Sequence, residues 1–150
     1  MILKKGSPLS QLKDRTEILK AYLAGLIDGE GTIAVHKDAN SLTLLVSVGM
    51  SDLAPVWCFA DAYNLAVYVI GRENDKLASG KKRKMLVRAA AYGEQARQII
   101  TDLHPYLLAK EAQAALALTF PLGKMGKDTP QEIRDKREEI RLAILKLHTR

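Results

Sequence analysis

Two carboxylates stand at the end of an apolar segment near the amino terminus, where residues 22–31 read YLAGLIDGEG. Asp28 and Glu30 could do chemistry, because carboxylates hold divalent metal ions that neutralise charge and activate water. Acids in a turn between a helix and a strand are, by themselves, most often ordinary surface charges. The same segment contains Gly25 and Gly29, and each glycine inside a helix costs roughly 1 kcal/mol relative to alanine. The segment therefore raises the question of what its acids and glycines contribute.

The chain of 150 residues is basic, with 23 lysine and arginine residues, 17 aspartate and glutamate residues and a net charge of +6. Such a balance is compatible with a polyanionic partner, although charge alone leaves the partner open. The cluster KKRK at 81–84 fits either a solvated hairpin tip or a set of phosphate contacts. The length suits one domain with a hydrophobic core, and we expect a single domain over residues 1–150.

Composition also argues against several classes of protein. No stretch approaches the 18 consecutive apolar residues of a membrane span, and the first ten residues lack the apolar core of a secretory signal. The single cysteine, Cys58, excludes an internal disulfide framework and a cysteine zinc cluster. We therefore expect a soluble, intracellular protein without a membrane partner.

Hydrophobic periodicity predicts the order α-β-β-α-β-β-α, followed by further helices, and hence an α+β fold. Alternating residues predict two hairpins, and apolar residues at helical spacing predict the helices between and after them. Helices are expected at about 16–29, 51–64, 93–103, 105–119 and 130–148, and strands at 32–38, 41–49, 66–73 and 82–92.

The run LAGLIDGEG (23–31) resembles the signature motif of the LAGLIDADG homing endonuclease family, and it lies between a helix and a hairpin, as in that family. A second segment, LHPYLLAKEAQ (103–113), is similar to the family's proline-led helix, which carries a basic residue near the active site. The resemblance covers roughly residues 15–120. It implies the LAGLIDADG fold, with a four-stranded antiparallel DNA-binding sheet and C-terminal helices.

The resemblance also implies roles for the two acids. Glu30 occupies the position of the metal-binding acid, which is most often aspartate, and the carbonyl of Gly29 is a further ligand candidate. Asp28 occupies a position that is mostly structural and ties down the helix end. Mg²⁺ prefers one or two carboxylates together with waters and substrate oxygens. The expected cofactor is therefore Mg²⁺, which Mn²⁺ could replace.

Lys110 corresponds to the basic residue of the proline-led helix and is expected to stabilise charge at the scissile phosphate. Gln113, three residues later, shares the predicted face of Lys110 and is a candidate for the water network. Relatives often place a polar side chain after the second strand, where this chain has Met50 followed by Ser51. Ser51 could supply that group, and so could the backbone.

The small residues Ala21, Gly25 and Gly29 are four positions apart and therefore lie along one helical face. Small side chains allow another helix to approach closely, and the packing contacts between the two helices offset the low helix propensity of glycine. Chains of the resembled family with one motif act as homodimers. The resemblance therefore implies a symmetric pair of these helices, with Glu30 at the foot of each.

Strand alternation assigns an apolar set of residues to the helices and a second set to an open face. The apolar set is Ile33, Val35, Leu44, Val46, Val48, Val67, Val69, Met85, Val87, Ala89 and Ala91, and Lys37 is a further candidate for it. By resemblance, that open face lies in the major groove of a half-site of roughly 8 base pairs, so a dimer would cover on the order of 20 base pairs. Basic residues of the second hairpin would contact phosphates. The candidate DNA-binding residues are Thr32, Ala34, His36, Thr43, Leu45, Ser47, Tyr68, Ile70, Arg72, Lys82, Arg83, Lys84, Leu86 and Arg88.

The resemblance favours a homodimeric, Mg²⁺-dependent, site-specific DNA endonuclease that is encoded in an intron or another mobile element. It would cut both strands of a long, nearly palindromic target and leave 3′ overhangs. The alternatives are an RNA-binding maturase that acts on its own intron, and a non-catalytic DNA-binding regulator. The acid at position 30 and the lysine at position 110 favour the nuclease.

Overall fold

The computed structural model describes residues 16–71, 76–82, 84–123 and 126–148, and none of the helices within them is both long and apolar enough to cross a membrane. Their order along the chain is the predicted α-β-β-α-β-β-α with helices after it. The helices are α1 (Thr16–Glu30), α2 (Leu53–Tyr63), α3 (Gly93–Leu103), α4 (Glu111–Leu118) and α5 (Gln131–His148). The strands are β1 (Gly31–Asp38), β2 (Ser41–Met50), β3 (Val67–Ile70) and β4 (Leu86–Tyr92).

Helix α1 passes into β1 without a loop, and Gly31 makes this junction possible. A Cβ atom at position 31 would lie 2.6 Å from the Cα and 2.9 Å from the carbonyl oxygen of Ile27, so no side chain fits there without moving the backbone. Because the helix continues up to the strand, Glu30 is its last residue. Glu30 therefore lies directly before β1, which is an edge strand of the sheet.

The four strands form one antiparallel sheet in the order β1-β2-β4-β3. Apolar side chains of one face meet across the strands: Ile33 lies opposite Val46, which lies opposite Ala91. The helices cover this face and build the core from residues such as Leu23 and Phe59. Of the apolar set predicted from alternation, those buried are Ile33, Val35, Leu44, Val46, Val48, Val67, Val87, Ala89 and Ala91.

The second hairpin is shorter than predicted. Strand β3 ends at Ile70, because Gly71 has a φ of +105°, and β4 begins only at residue 86. Between them, within residues 76–82, Lys76 and Lys82 form an isolated antiparallel bridge. Met85, which alternation assigned to the core, precedes β4 and is exposed. The predicted strand residues 82, 84 and 85 therefore belong to the connection between the strands.

The helix predicted over 105–119 is also wrong at its start. A 3₁₀ turn spans His104–Tyr106, Leu107 is extended (φ −75°, ψ 138°), and α4 begins at residue 111 with Lys110 as its N-cap. Asp28 of α1 accepts the backbone N–H of Lys110, which a continuous helix would have bonded to residue 106. A hydrogen bond between distant segments therefore replaces the first turns of the predicted helix.

Helix α5 lies along the edge strand β1 and is fixed at its middle. Arg137 is buried, donates from Nε to the carbonyl of Pro121 at 2.9 Å, and stacks its guanidinium 5.5 Å from the ring centre of Phe120. Burial lowers the pKa of this guanidinium. Glu138 contacts Lys37 of β1 at 3.7 Å, and Arg141 holds the same carboxylate at 2.7 Å. The hydrogen bond from Arg141 lowers the pKa of Glu138, so the carboxylate stays ionised.

The two ends of α5 reach the two ends of β1. Eighteen helical residues extend about 27 Å and eight strand residues about 26 Å. The first turns of α5 line a cavity with the β1–β2 turn, and its last residues, Leu147 and His148, line another with Gly31 and Thr32. The C-terminal helix therefore ends beside the foot of α1.

Candidate functional site at the foot of helix α1 and on the sheet

The C-terminal end of α1, residues 28–30, is called its foot here. The carboxylate of Asp28 connects it to the segment before α4. Oδ2 accepts the backbone N–H of Leu108 at 2.8 Å, and Oδ1 accepts that of Lys110 at 2.9 Å. Both carboxylate oxygens thus satisfy backbone donors of a segment 80 residues further along the chain. These contacts agree with the structural role that the family resemblance implied for Asp28.

Lys110 is turned back towards α1. Its Nζ donates to the backbone carbonyl of Asp28 at 2.6 Å, and the side chain is half-buried. A solvated helix lysine would have no such fixed partner. The carboxylate of Asp28 therefore bonds the backbone N–H of Lys110, and the backbone carbonyl of Asp28 bonds the ammonium group of Lys110. Both contacts are made two residues before Glu30.

Glu30 is exposed, and within the described part of the chain its carboxylate has no hydrogen bond or ion pair. Gly29 beside it is exposed as well. No group of three or more histidine, cysteine, aspartate or glutamate residues among the described residues could enclose a metal ion. A single unpaired carboxylate fits Mg²⁺, which binds through one or two carboxylates and takes its other ligands from water and phosphate oxygens.

A cleft of about 370 Å³ opens next to this foot. Lys110 and Gln113 both line it, as predicted for residues that share one face, although Lys110 precedes the helix. Ser51 and Met50 do not line it: Ser51 is exposed, and Met50 packs against the core. The cleft is lined by Gly31, Thr32, Ala109, Lys110, Gln113, Leu147 and His148.

The outer face of α1 is open in the single chain. Ala21, Gly25 and Gly29 are exposed, and a Cβ atom at either glycine would meet nothing within 4 Å. Ile18 and Tyr22 are exposed on the same side. The predicted small-residue face is thus bordered by apolar side chains that the single chain leaves uncovered.

The open face of the sheet contains most of the predicted DNA-binding residues in accessible positions. Leu45 and Ser47 are exceptions, at 6% and 5% exposed, because they lie on β2 in the middle of the sheet and are flanked by side chains of both neighbouring strands. Arg72 and Arg83 lie outside the described residues. The exposed or half-exposed members on the sheet are Thr32, Ala34, His36, Thr43, Tyr68, Ile70, Leu86 and Arg88. Lys82 and Lys84 are exposed in the connection between β3 and β4.

Arg88 is oriented on this face by a side chain of β2. It lies opposite Gly49, where a Cβ atom would make only an ordinary van der Waals contact with Cγ of Arg88 at 3.7 Å. Its Nη2 donates to Oγ of Ser47 at 3.2 Å. Ser47 is therefore a buried residue whose hydroxyl accepts a hydrogen bond from Arg88.

Tyr92 was not predicted on the open face. It is the last residue of β4, is exposed, and meets the ring of His36 in a T-shaped contact with centroids 6.2 Å apart. Leu45 lies opposite Tyr92 in the register, so the three residues belong to one end of the sheet. Extending the alternation of β4 by two residues beyond Ala90 would have found it.

Comparison with solved structures relates this arrangement to known proteins. The chain superposes on the homing endonuclease I-CvuI in complex with the I-CreI target and Mg, with uncleaved DNA, at a TM-score of 0.67 and 17% identity over 89% of this chain and 83% of that chain. The chain has the homing endonuclease fold. The predicted α+β class, with its four-stranded antiparallel sheet and C-terminal helices, is thereby confirmed.

Two further structures share the homing endonuclease fold. I-CvuI in complex with its own target and Ca matches with a TM-score of 0.54 and 18% identity over 91% of this chain and 98% of that chain. The archaeal intron-encoded homing endonuclease I-Vdi141I complexed with DNA matches with a TM-score of 0.50 and 10% identity, over 84% and 98%. No family model and no curated protein sequence matches the chain.

Proposed function

We propose that this chain is a LAGLIDADG homing endonuclease that binds double-stranded DNA site-specifically and cuts both strands. The observation that carries the proposal is the unpaired Glu30 carboxylate at the foot of α1, with Lys110 held beside it by Asp28. Homing endonucleases of the same fold have been solved in complex with DNA and in the presence of Mg or Ca. The protein would act on DNA inside the cell.

In this proposal Glu30 and the carbonyl of Gly29 hold Mg²⁺, and Mn²⁺ replaces it. The bound metal supplies neutralisation of the phosphate, activation of water and stabilisation of the leaving oxygen. Lys110 presents a positive charge to the scissile phosphate, and its bond to the Asp28 carbonyl limits the positions that the ammonium group can take.

We propose that two chains pair through the outer faces of their α1 helices. Ala21, Gly25 and Gly29 would form the closest contact, with Ile18 and Tyr22 covered at its margin. Leu108 supports this arrangement, since it is 88% exposed although its backbone is fixed to Asp28 at the same foot. Pairing would bring two Glu30 carboxylates together.

The open face of each sheet would then contact one half of a nearly palindromic target of on the order of 20 base pairs. Residues on the open face would contact base edges, and Lys82 and Lys84 at the second hairpin would contact phosphates. We further propose that the gene lies within an intron or another mobile element, so that the target is the flanking exon junction, and that cleavage leaves 3′ overhangs.

Replacement of the proposed metal ligand tests the function directly. Glu30→Gln keeps the volume of the side chain and removes its charge, so folding, dimerisation and DNA binding in Ca²⁺ should persist. Cleavage in Mg²⁺ should fall on the order of 10³-fold, about 4 kcal/mol of transition-state stabilisation. Nicking of a plasmid that carries the exon junction, with binding measured in parallel, decides the matter.

Undiminished cutting by Glu30→Gln would exclude Glu30 as the metal ligand. If the wild-type protein binds its site tightly and never cuts in Mg²⁺, the DNA-binding regulator is correct. Binding of the intron RNA without cutting of DNA would indicate the maturase. Lys110→Met should lower cleavage less than Glu30→Gln, and Lys136→Met on the exposed side of α5 is its matched control.

A further inference from the structure

Gln113 at the start of α4 is a largely buried polar side chain that has no hydrogen-bond partner among the described residues. It is 8% exposed, and its amide makes no hydrogen bond within the described residues. Buried polar groups in native proteins are almost always bonded to protein, water or ligand, because an unpaired one destabilises the folded state. Gln113 lines the cleft at the foot of α1, and its amide atoms are not fully enclosed by the protein, so the amide is open to water or to a ligand in that cleft.

The groups around this cleft suit an anion. Lys110 brings an ammonium group, of which one donor is used by the carbonyl of Asp28 and two remain. Thr32 adds a hydroxyl, and His148 adds a ring N–H that is present in both protonation states. No carboxylate occurs among the described residues that line the cleft. The combination of a buried amide and two basic side chains favours a phosphate over a cation.

The position of His148 follows from the length of α5. The helix extends along β1 from the hairpin turn to the foot of α1, and its last turn supplies Leu147 and His148 as one wall of the cleft. Arg137 and the Glu138–Lys37 contact fix the helix along its length. The end of α5 is therefore a supported wall of this site.

We propose that this cleft binds a backbone phosphate of the DNA beside the scissile one, with Gln113 and His148 as its ligands. The C-terminal helix is then a part of the nuclease site and fixes the cleaved strand next to Lys110. The inference rests on the proposed function, since it assigns the cleft to the same substrate. A free phosphate ion has the same binding chemistry, and the experiments below separate the two sources.

Gln113→Leu separates a ligand-binding role from a structural one. The substitution removes an amide that bonds no described residue and puts an apolar group of similar size in its place, so the thermal midpoint should stay nearly unchanged. Affinity for the specific duplex in Ca²⁺ should fall about fivefold or more, and cleavage about tenfold or more. His148→Ala, at an exposed position, should give losses of the same kind without loss of stability.

Because both side chains would contact one phosphate, the double variant should lose less than the product of the two single losses. Lys136→Ala, which removes a charge from the other end of α5, is the control and should bind and cut normally. A duplex with a single neutral methylphosphonate beside the scissile phosphate should bind more weakly to the wild type. The same modification should affect each single variant less than the wild type, and it should barely affect binding by the double variant.

Inorganic phosphate provides the second arm of the experiment. The side-chain amide signals of Gln113 and the ring signals of His148 should shift when phosphate is added, and the specific duplex should displace it. Phosphate shifts without any effect of the methylphosphonate would assign the cleft to a free ion and overturn the DNA contact. Wild-type behaviour of both variants would overturn the inference, even if Glu30→Gln abolishes cleavage and so upholds the nuclease.

If the wild type neither binds nor cuts any duplex, the proposed function fails and the DNA contact fails with it. The phosphate titration would then still decide whether Gln113 and His148 form an anion site. Absence of shifts with both phosphate and duplex would exclude any phosphate site in the cleft.

Discussion

The foot of α1 and the open face of the sheet both hold a basic side chain in place, but they do so differently. At the foot, Asp28 fixes the segment of Lys110 with three hydrogen bonds, two of them to the backbone of that distant segment. On the sheet, Arg88 donates one hydrogen bond to the hydroxyl of Ser47. We infer that changes at the foot affect the whole molecule, whereas changes on the sheet stay local.

The largest expected effect comes from Asp28→Ala. The change leaves the N–H groups of Leu108 and Lys110 without their acceptors and releases the segment before α4. The part-buried N–H of Lys110 is then unsatisfied at a cost of about 1–3 kcal/mol, whereas the exposed N–H of Leu108 can bond to water. The free energy of unfolding should therefore fall by roughly 1–3 kcal/mol, together with cleavage.

Chemical denaturation measures this loss, and Asp52→Ala is the matched control, because the Asp52 side chain makes no capping bond at α2. Asp28→Asn keeps one acceptor oxygen and should fall between the wild type and Asp28→Ala. A loss of cleavage without a loss of stability in Asp28→Ala would instead assign Asp28 to the chemistry.

The next effect concerns the helix that carries the foot. Gly25→Leu puts bulk on the open face of α1, where the single chain has space, and it replaces a poor helix former. The isolated chain should gain roughly 1 kcal/mol of stability, while the dimer dissociates. Sedimentation equilibrium at micromolar concentration should give a dimer for the wild type and a species near 16.6 kDa for the variant. A monomeric wild type would contradict the pairing of α1 helices.

On the sheet, Arg88→Ala should change preference at one or two base pairs and leave the fold intact. A bidentate contact to guanine contributes about 1–3 kcal/mol of discrimination. Binding to a panel of single base-pair variants measures this effect. Ser47→Ala should weaken the same preference less, and Ser47→Thr should retain it, because the hydroxyl is kept. If Arg88→Ala lowers the affinity for specific and random duplexes equally, Arg88 contacts only phosphate.

The smallest effect is expected at the exposed connection between β3 and β4. Lys82→Glu should weaken binding to all duplexes alike and lower the salt slope by about one for each phosphate that the protein no longer neutralises. Binding isotherms at several salt concentrations give this slope. A change in base preference would instead show that Lys82 takes part in sequence recognition, as proposed for residues on the sheet.

Local patterns were sufficient for much of the architecture. Alternation of apolar residues predicted which side chains of β1, β2 and β4 enter the core, because a strand with one buried face requires it. The motif at 23–31 predicted a helix that ends in an acid before a strand. The strand ends near Gly71 and Met85 were misplaced, because the positive φ of Gly71 ends β3 without changing the alternation of apolar residues that precedes it.

The sequence by itself determined the acid at position 30, the small-residue face of α1 and the alternating strands, since each follows from residue type and local spacing. Tertiary structure alone decided that Lys110 precedes α4 and does not lie within it, because the acceptor of its N–H belongs to Asp28. It also decided that Gln113 is buried without a partner among the described residues and that α5 ends beside it. These features depend on contacts between segments far apart in the chain, which no local periodicity encodes.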